Sequence, residues 1–446
     1  MKKKFELIMR IKIENRYTAI IIIVLMVLSS IISLSVRGIS TNVDDFSLSS
    51  SGLSTQDTFW PGISSEWTEV APEEQGLDSN KIAEMFEFIE DNSYDIHSVI
   101  ITRNGYLLTE EYLFESQIYL NLPQFMYYYN GTKQYYWGKV HEQASGAKSV
   151  TSILIGIALQ EGFLDNVNQT LYEFFADRWS PSLANSTLKK SITIEQLLTH
   201  NSGLVAEGPL YPPGDLGATF EDMIGWALNL PLIFNPGKEG EFHYSSDGPN
   251  LLSGIITNVT GKSMAEFAKE YLFEPLQVPD DEYLWLHDNQ NVSFGGYHFQ
   301  CSPKVQAKLG ILAMNNGSWN GEQIVDKDYL KDATTDQTGY SCGYLWWMTD
   351  EPIGGYHAAG FGGQAFYVIP EYDIVVGFTA QDGGPYEQII LDYILQDIKP
   401  PPVNQIPEDQ GIPDYYINLT TLTIFCTTAV FTTAVLIIRR KKGSRN

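Results

Sequence analysis

Ser145 and Lys148 stand three positions apart in HEQASGAKSVTSILIGIALQEGFL, and apolar residues then recur at Val150, Ile153, Leu154, Ile157 and Ala158. That recurrence has the period of a helix. It predicts a helix whose first turn carries the serine and, one turn along the same face, the lysine. A hydroxyl is a weak nucleophile at neutral pH. A desolvated amine beside it can take its proton, and a helix N-terminus favours the negative charge that then develops. The spacing alone assigns nothing, because Ser186-Thr187-Leu188-Lys189 repeats it. That second copy lies in a polar stretch, inside an Asn-x-Ser/Thr sequon, with no apolar helix following Lys189, so the expectation rests on the first.

The elements that must position such a pair can be read around it. An amphipathic helix is expected over IAEMFEFIE, after Ser79, with a capping residue in front of it. Two strand-like runs follow, HSVIITR and YLLTEEYL, joined at Asn104-Gly105, a strong hairpin signal. Near the other end, residues 363–369 and 374–380 are apolar strand candidates joined by Pro370 to Asp373, and YEQIILDYILQDI reads as a closing helix. Between these ends most segments read as helix and loop, including Ile153 to Leu164 and Met223 to Leu230. Strands at both ends and helices between them predict an α+β fold: an antiparallel sheet made by bringing the ends together, flanked by helices, with a helical subdomain inserted.

The 446 residues are 43% hydrophobic and 13% aromatic, ample for a large packed core. The formal charge is -26, unevenly spread: residues 1–37 hold seven Lys/Arg and two Asp/Glu, and residues 439–446 hold five Lys/Arg. The stretch between the tails therefore carries -36, which repels nucleic acid and argues against a phosphate-backbone partner. Residues 19–36 form an uncharged apolar run behind a basic N-terminus, and residues 417–438 form another ahead of Arg439, Arg440, Lys441 and Lys442. The first reads as a signal peptide or signal anchor within residues 1–37, the second as a transmembrane helix. The basic flanks place both tails in the cytoplasm and the acidic span on the extracytoplasmic side. Residues 38–63 and the Pro-rich 400–416 read as linkers, residues 64–399 as one catalytic domain, and residues 439–446 as a basic cytoplasmic tail. Cys301, Cys342 and Cys426 give no disulfide framework or zinc spacing, and buried free thiols are the expected state of the first two. Sequons stand at Asn130, Asn168, Asn185, Asn258, Asn291 and Asn316.

Downstream of Ser145, Tyr244-Ser245-Ser246 precedes an apolar helix that ends at Gly261, and GGYHAAGFGGQAFYVIPEYDIVVGF is a glycine-rich entry into two strands. With these segments the chain resembles the serine beta-lactamase, penicillin-binding-protein and family VIII esterase superfamily, most nearly its class C-like members, which include D-aminopeptidases and amide or oligomer hydrolases. The likeness covers roughly residues 64–398. LLTHNSGL at 197–204, residues 302–325 and GYLWWM at 343–348 are similar to family segments in family order.

The resemblance implies that Ser145 is acylated, that Lys148 accepts its proton, and that Tyr244, from the family's Y-x-N element, shuttles protons to the leaving group. It also implies an oxyanion hole from the backbone N–H groups of Ser145 and of Phe361, which follows Gly360. Two departures stand out. Ser246 replaces the asparagine of Y-x-N, and Ala358-Ala359-Gly360 replaces K-T-G, so the lysine that holds a substrate carboxylate in beta-lactamases is missing. His357 precedes this element and is a candidate for a charge or hydrogen bond to substrate, against a structural role at a strand end.

The sequence thus points to a membrane-anchored hydrolase, without cofactor or metal, acting on an ester, amide or peptide bond in a small-molecule or peptide substrate. The alternative is a catalytically silent receptor on the same fold that binds a peptide or glycan. A zinc site at His141-Glu142 is not expected, because H-E-x-x-H needs histidine where Ser145 stands. His200 reads as structural, and the aromatic cluster at 127–137 as either cleft lining or ordinary packing.

Overall fold

The computed structural model describes residues 59–63, 67–113, 140–183, 185–205 and 221–398, and the backbone at 128–129 and 132–133. The apolar runs 19–36 and 417–438, linker 400–416, most of linker 38–63 and the side chains of the 127–137 cluster lie outside the described residues. Among the described residues no helix is long and apolar enough to cross a membrane.

Helix α1, Ser79–Asp91, opens the domain and buries Ile82, Met85 and Ile89 from one stripe. Its cap is Asp78, one residue earlier than the sequence suggests, whose carboxylate accepts from the Asn80 N–H at 2.8 Å. Strands β1, Ile96–Arg103, and β2, Tyr106–Tyr112, form the expected hairpin. Asn104 and Gly105 take φ of 50° and 80°, the left-handed pair that a two-residue hairpin turn requires.

Helix α2, Ala147–Gln160, follows a single 3-10 turn over Ala144–Gly146. Helices α3, Met223–Asn229, α4, Asp247–Thr260, and α5, Pro303–Met314, belong to the insert. The chain then returns to the sheet with β3, Trp347–Met348, β4, Tyr356–Gly360, β5, Gln364–Ile369, and β6, Ile374–Ala380, before α6, Tyr386–Ile389.

The strand order is β3-β4-β5-β6-β1-β2, antiparallel throughout. Pairing of β6 with β1 joins segments from opposite ends of the domain, with Val99 opposite Phe378 and Ile101 opposite Val376. Both strands are buried along their length, and their alternate side chains serve two cores, as a sheet covered on both faces demands. Val99, Ile101, Tyr367, Val376 and Phe378 pack with Met85 of α1 and Ile389 of α6. Ile100, Phe366, Val368 and Val375 pack with α2 and α5. The fold is the α+β arrangement of the sequence reading, an antiparallel sheet joined from both ends of the domain and flanked by helices.

Candidate active site

The nucleophile turn is held before the helix begins. Ala144 has φ of 45°, an uncommon value for a residue with a side chain. Its N–H donates to Glu142 Oε1 at 2.9 Å, and the same oxygen accepts from the His298 N–H at 3.0 Å. Gly146 N–H donates back to Gln143 O at 2.8 Å, closing the turn that presents half-exposed Ser145. Lys148 then falls one turn into α2 and is buried, with 3% of its surface exposed.

Lys148 Nζ lies 3.1 Å from Ser145 Oγ, 3.1 Å from Ser246 Oγ and 2.8 Å from Gly296 O. Burial would leave an ammonium costly without such partners. Gly296 reaches the site because it lacks a side chain: a Cβ there would lie 2.5 Å from Ser246 O. Its N–H donates to Asn250 Oδ1 of α4 at 3.1 Å, so the loop is docked on both sides. The adjacent Gly295 carbonyl accepts from Thr151 of α2 at 2.7 Å.

Tyr244 stands in the loop before α4. Ser245 Oγ caps that helix, accepting from Asp247 and Gly248 N–H at 3.3 and 3.4 Å. Lys148 Nζ sits 4.8 Å from the centroid of the Tyr244 ring. Tyr244 also meets His200, with centroids 4.7 Å apart, and Trp347 at 6.2 Å. The Ser245 N–H donates to His200 Nδ1 at 3.2 Å, which leaves the proton of the neutral ring on Nε2. The His243 N–H donates to His200 O at 2.9 Å. Burial first, then the fields of Lys148 and His243, push the His200 pKa down to about 3, so the ring is neutral at ordinary pH. Residue 200 therefore clamps the Tyr244 segment from below by ring and backbone together.

Gly360, the last residue of β4, lies against the nucleophile turn. A Cβ at this position would lie 2.1 Å from Gln143 O and 3.1 Å from Gly146 N, so no other residue allows the strand so close. Phe361 follows with 78% of its surface exposed, and Ala358 is fully buried. The arrangement juxtaposes a hydroxyl, an amine, a phenol and a strand end, the parts that acyl transfer to serine uses. Among the described residues no group of three or more His, Cys, Asp or Glu is placed to hold a metal ion.

Residues 98–290, which include Ser145, Lys148 and Tyr244, match the family model described as Beta-lactamase. Residues 98–290 are thus similar to a beta-lactamase domain. The 6-aminohexanoate-dimer hydrolase of Paenarthrobacter ureafaciens is 22% identical over 262 residues, 53% of this chain and 64% of that protein. Penicillin-binding protein 4* of Bacillus subtilis (strain 168) is 32% identical over 145 residues, 30% of this chain and 28% of its own length. The chain thus spans less than two thirds of either relative. A penicillin-binding-protein homologue from Caulobacter crescentus shares the fold with a TM-score of 0.55 at 16% identity, over 74% of this chain and 98% of that one.

Of the expected site residues, Ser145, Lys148, Tyr244, Ser246 and Gly360 converge, Phe361 follows Gly360 at the surface, and His357 packs apart from them. His357 stacks on Tyr367 at 4.7 Å, among the side chains on the sheet face that α1 and α6 cover, and its Nδ1 pairs with Thr349 Oγ1 at 2.9 Å. Strand alternation puts residue 357 on the face opposite to residue 360, the face it shares with its register partner Trp347. Burial lowers its pKa to about 4. Ser246 contacts the lysine, the place that the shorter side chain can still reach.

Glu142 and Gly296 are the site residues that sequence reasoning missed, the paired glycines at 295–296 being the visible signal, whereas His200, read as structural, holds the Tyr244 segment. Ser341 lies in Gly339-Tyr340-Ser341-Cys342-Gly343, the spacing of a nucleophile elbow. No helix follows it, and Asp336 Oδ1 ties the turn through the Thr338, Gly339 and Cys342 N–H groups, so it is a loop. Cys301 and Cys342 are separate buried thiols, as expected.

Proposed function

We propose that the chain is a serine hydrolase that cleaves an ester or amide bond through an acyl-Ser145 intermediate. The observation that carries this reading is Lys148 Nζ at 3.1 Å from Ser145 Oγ in a buried setting. As a neutral amine, Lys148 donates to the Gly296 carbonyl and to Ser246 Oγ and turns its lone pair to the Ser145 O–H. Ser145 Oγ then bonds to the substrate carbonyl carbon as its proton passes to Lys148. The bond to the leaving oxygen or nitrogen breaks as Tyr244 gives that atom a proton, which the lysine replaces. Water, deprotonated along the same route, releases the acid and restores the serine. The N–H groups of Ser145 and Phe361 stabilise the tetrahedral oxyanion, a contribution of about 3 kcal/mol per donor.

The similarity to a 6-aminohexanoate-dimer hydrolase supports an amide or ester substrate of modest size. The apolar runs 19–36 and 417–438 with their basic flanks support a membrane-anchored domain on the extracytoplasmic side. Labelling with a fluorophosphonate probe tests the chemistry: wild type is expected to label and Ser145→Ala to remain unlabelled. Equal labelling of the two would remove the nucleophile and the proposal with it.

A further inference from the structure

A row of four aromatic rings leads from solvent to the reacting groups. Tyr340, 52% exposed, stacks on Phe242 with centroids 5.1 Å apart and an interplanar angle of 26°. Phe242 meets Trp347 at 6.3 Å, and Trp347 lies nearly parallel to Tyr244, 6.2 Å away at 18°. Tyr244 ends the row over Lys148. Phe242, Tyr244 and Trp347 are each only half-buried, so the row is a surface and not part of a core. It is also a rigid one. Trp347 belongs to β3, paired with His357 of β4, and the Tyr340 hydroxyl donates to Gly240 O at 3.0 Å, tying together the two loops that carry the outer rings.

We infer that this row is the leaving-group subsite and that it takes a neutral group bearing an aromatic ring or a comparable flat apolar surface. The inference rests on the reading of Tyr244 as the group that protonates the leaving atom. Whatever is attached to that atom must then lie beside Tyr244, and the neighbouring ring there is Trp347. Half-exposed aromatic faces gain by covering one another and by covering a planar ligand. Charge points the same way. The span between the basic tails carries -36, which disfavours an anionic leaving group. The specificity belongs to Trp347 and Phe242, with Tyr340 as the outer edge.

The test uses the full-length chain and two butyrate esters whose alcohols are of similar acidity, benzyl and methyl, so that chemistry is matched and only the subsite differs. N-benzyl- and N-methylbutyramide form the corresponding amide pair. In wild type the benzyl compound is expected to exceed the methyl compound in kcat/KM by roughly tenfold or more. A para-carboxylate on the benzyl ring is expected to remove most of that advantage. Trp347→Ala should bring the benzyl-to-methyl ratio close to one, and Tyr340→Ser, at an exposed position, should lower it by a smaller factor. A wild-type ratio near one, with Ser145 still labelled by fluorophosphonate, overturns the subsite and leaves the hydrolase reading standing. A preference seen only when the phenyl group is moved to the acyl portion, as in methyl 4-phenylbutyrate, overturns the leaving-group assignment. Absence of turnover on both pairs together with absence of label overturns subsite and hydrolase alike.

Discussion

The chain contains two Ser-x-x-Lys runs, and the structure gives them opposite fates. Lys148 and Lys189 are both buried, at 3% and 0% exposure, and both lie on helices that start within three residues of the serine. Lys148 lies within hydrogen-bond distance of Ser145, of Ser246 just before α4 and of the Gly296 carbonyl. Lys189 instead donates to Leu228 O at 2.6 Å, at the end of α3. Its serine, Ser186, accepts from Trp179 Nε1 at 3.0 Å and donates to Ser180 O at 3.1 Å. The same four-residue spacing thus makes a reactive pair in one place and a structural pin in the other. What differs is the company: three separate segments converge on Lys148, whereas a helix end simply uses Lys189 as a donor for a carbonyl that would otherwise be buried without a partner.

The sharpest way to break this contrast is to remove the serines. Ser145→Ala is expected to lower ester turnover by roughly 10^4-fold or more, while Ser186→Ala leaves it within about twofold. Comparable losses from the two variants would abolish the distinction. Removing the lysines separates the roles in another way. Lys148→Met should cost roughly 10^3-fold in kcat with the domain still folded by circular dichroism. Lys189→Met should keep kcat and lose about 1–3 kcal/mol of stability in denaturant melts, because Leu228 O loses its donor.

The clamp behind Tyr244 sharpens the comparison, since nothing like it backs Ser186. His200→Ala is expected to lower kcat about tenfold by loosening Tyr244. Because the imidazole is neutral down to about pH 3, the acid limb of the wild-type pH profile should not belong to it, and the limb should stay in place in His200→Ala. A limb that disappears with His200 would make the histidine a titrating participant.

The smallest expected effect is the pH dependence of the structural lysine. Burial lowers the Lys189 pKa from 10.5 to about 8. Between these values the unfolded chain binds the proton that the folded chain has released, so stability rises with pH across this window and is lost again as pH falls through 8. The margin of wild type over Lys189→Met in melts should therefore widen from pH 7.5 to pH 10. A margin that shrinks would mean that the ammonium is held better in the fold than in water.

Much of this was legible in the residues. The Asn104-Gly105 turn, the strands 364–369 and 374–380, and the helix after Ser145 follow from turn chemistry and apolar period, which act over a few neighbouring positions. The acidic span between two basic tails and the Ser145–Lys148 spacing are equally local facts. Period and spacing are silent about which distant segments meet. The arrival of Gly296 O at Lys148, of His200 beneath Tyr244 and of the Trp347–Phe242 row beside it depends on how helices dock on the sheet. The turning of His357 to the face opposite residue 360 depends on the register of β4 with β5. Pairwise contacts between residues far apart in the chain are set by packing and by the demand that buried polar groups find partners, so only the folded molecule decided which segments meet Lys148 and which meet Lys189.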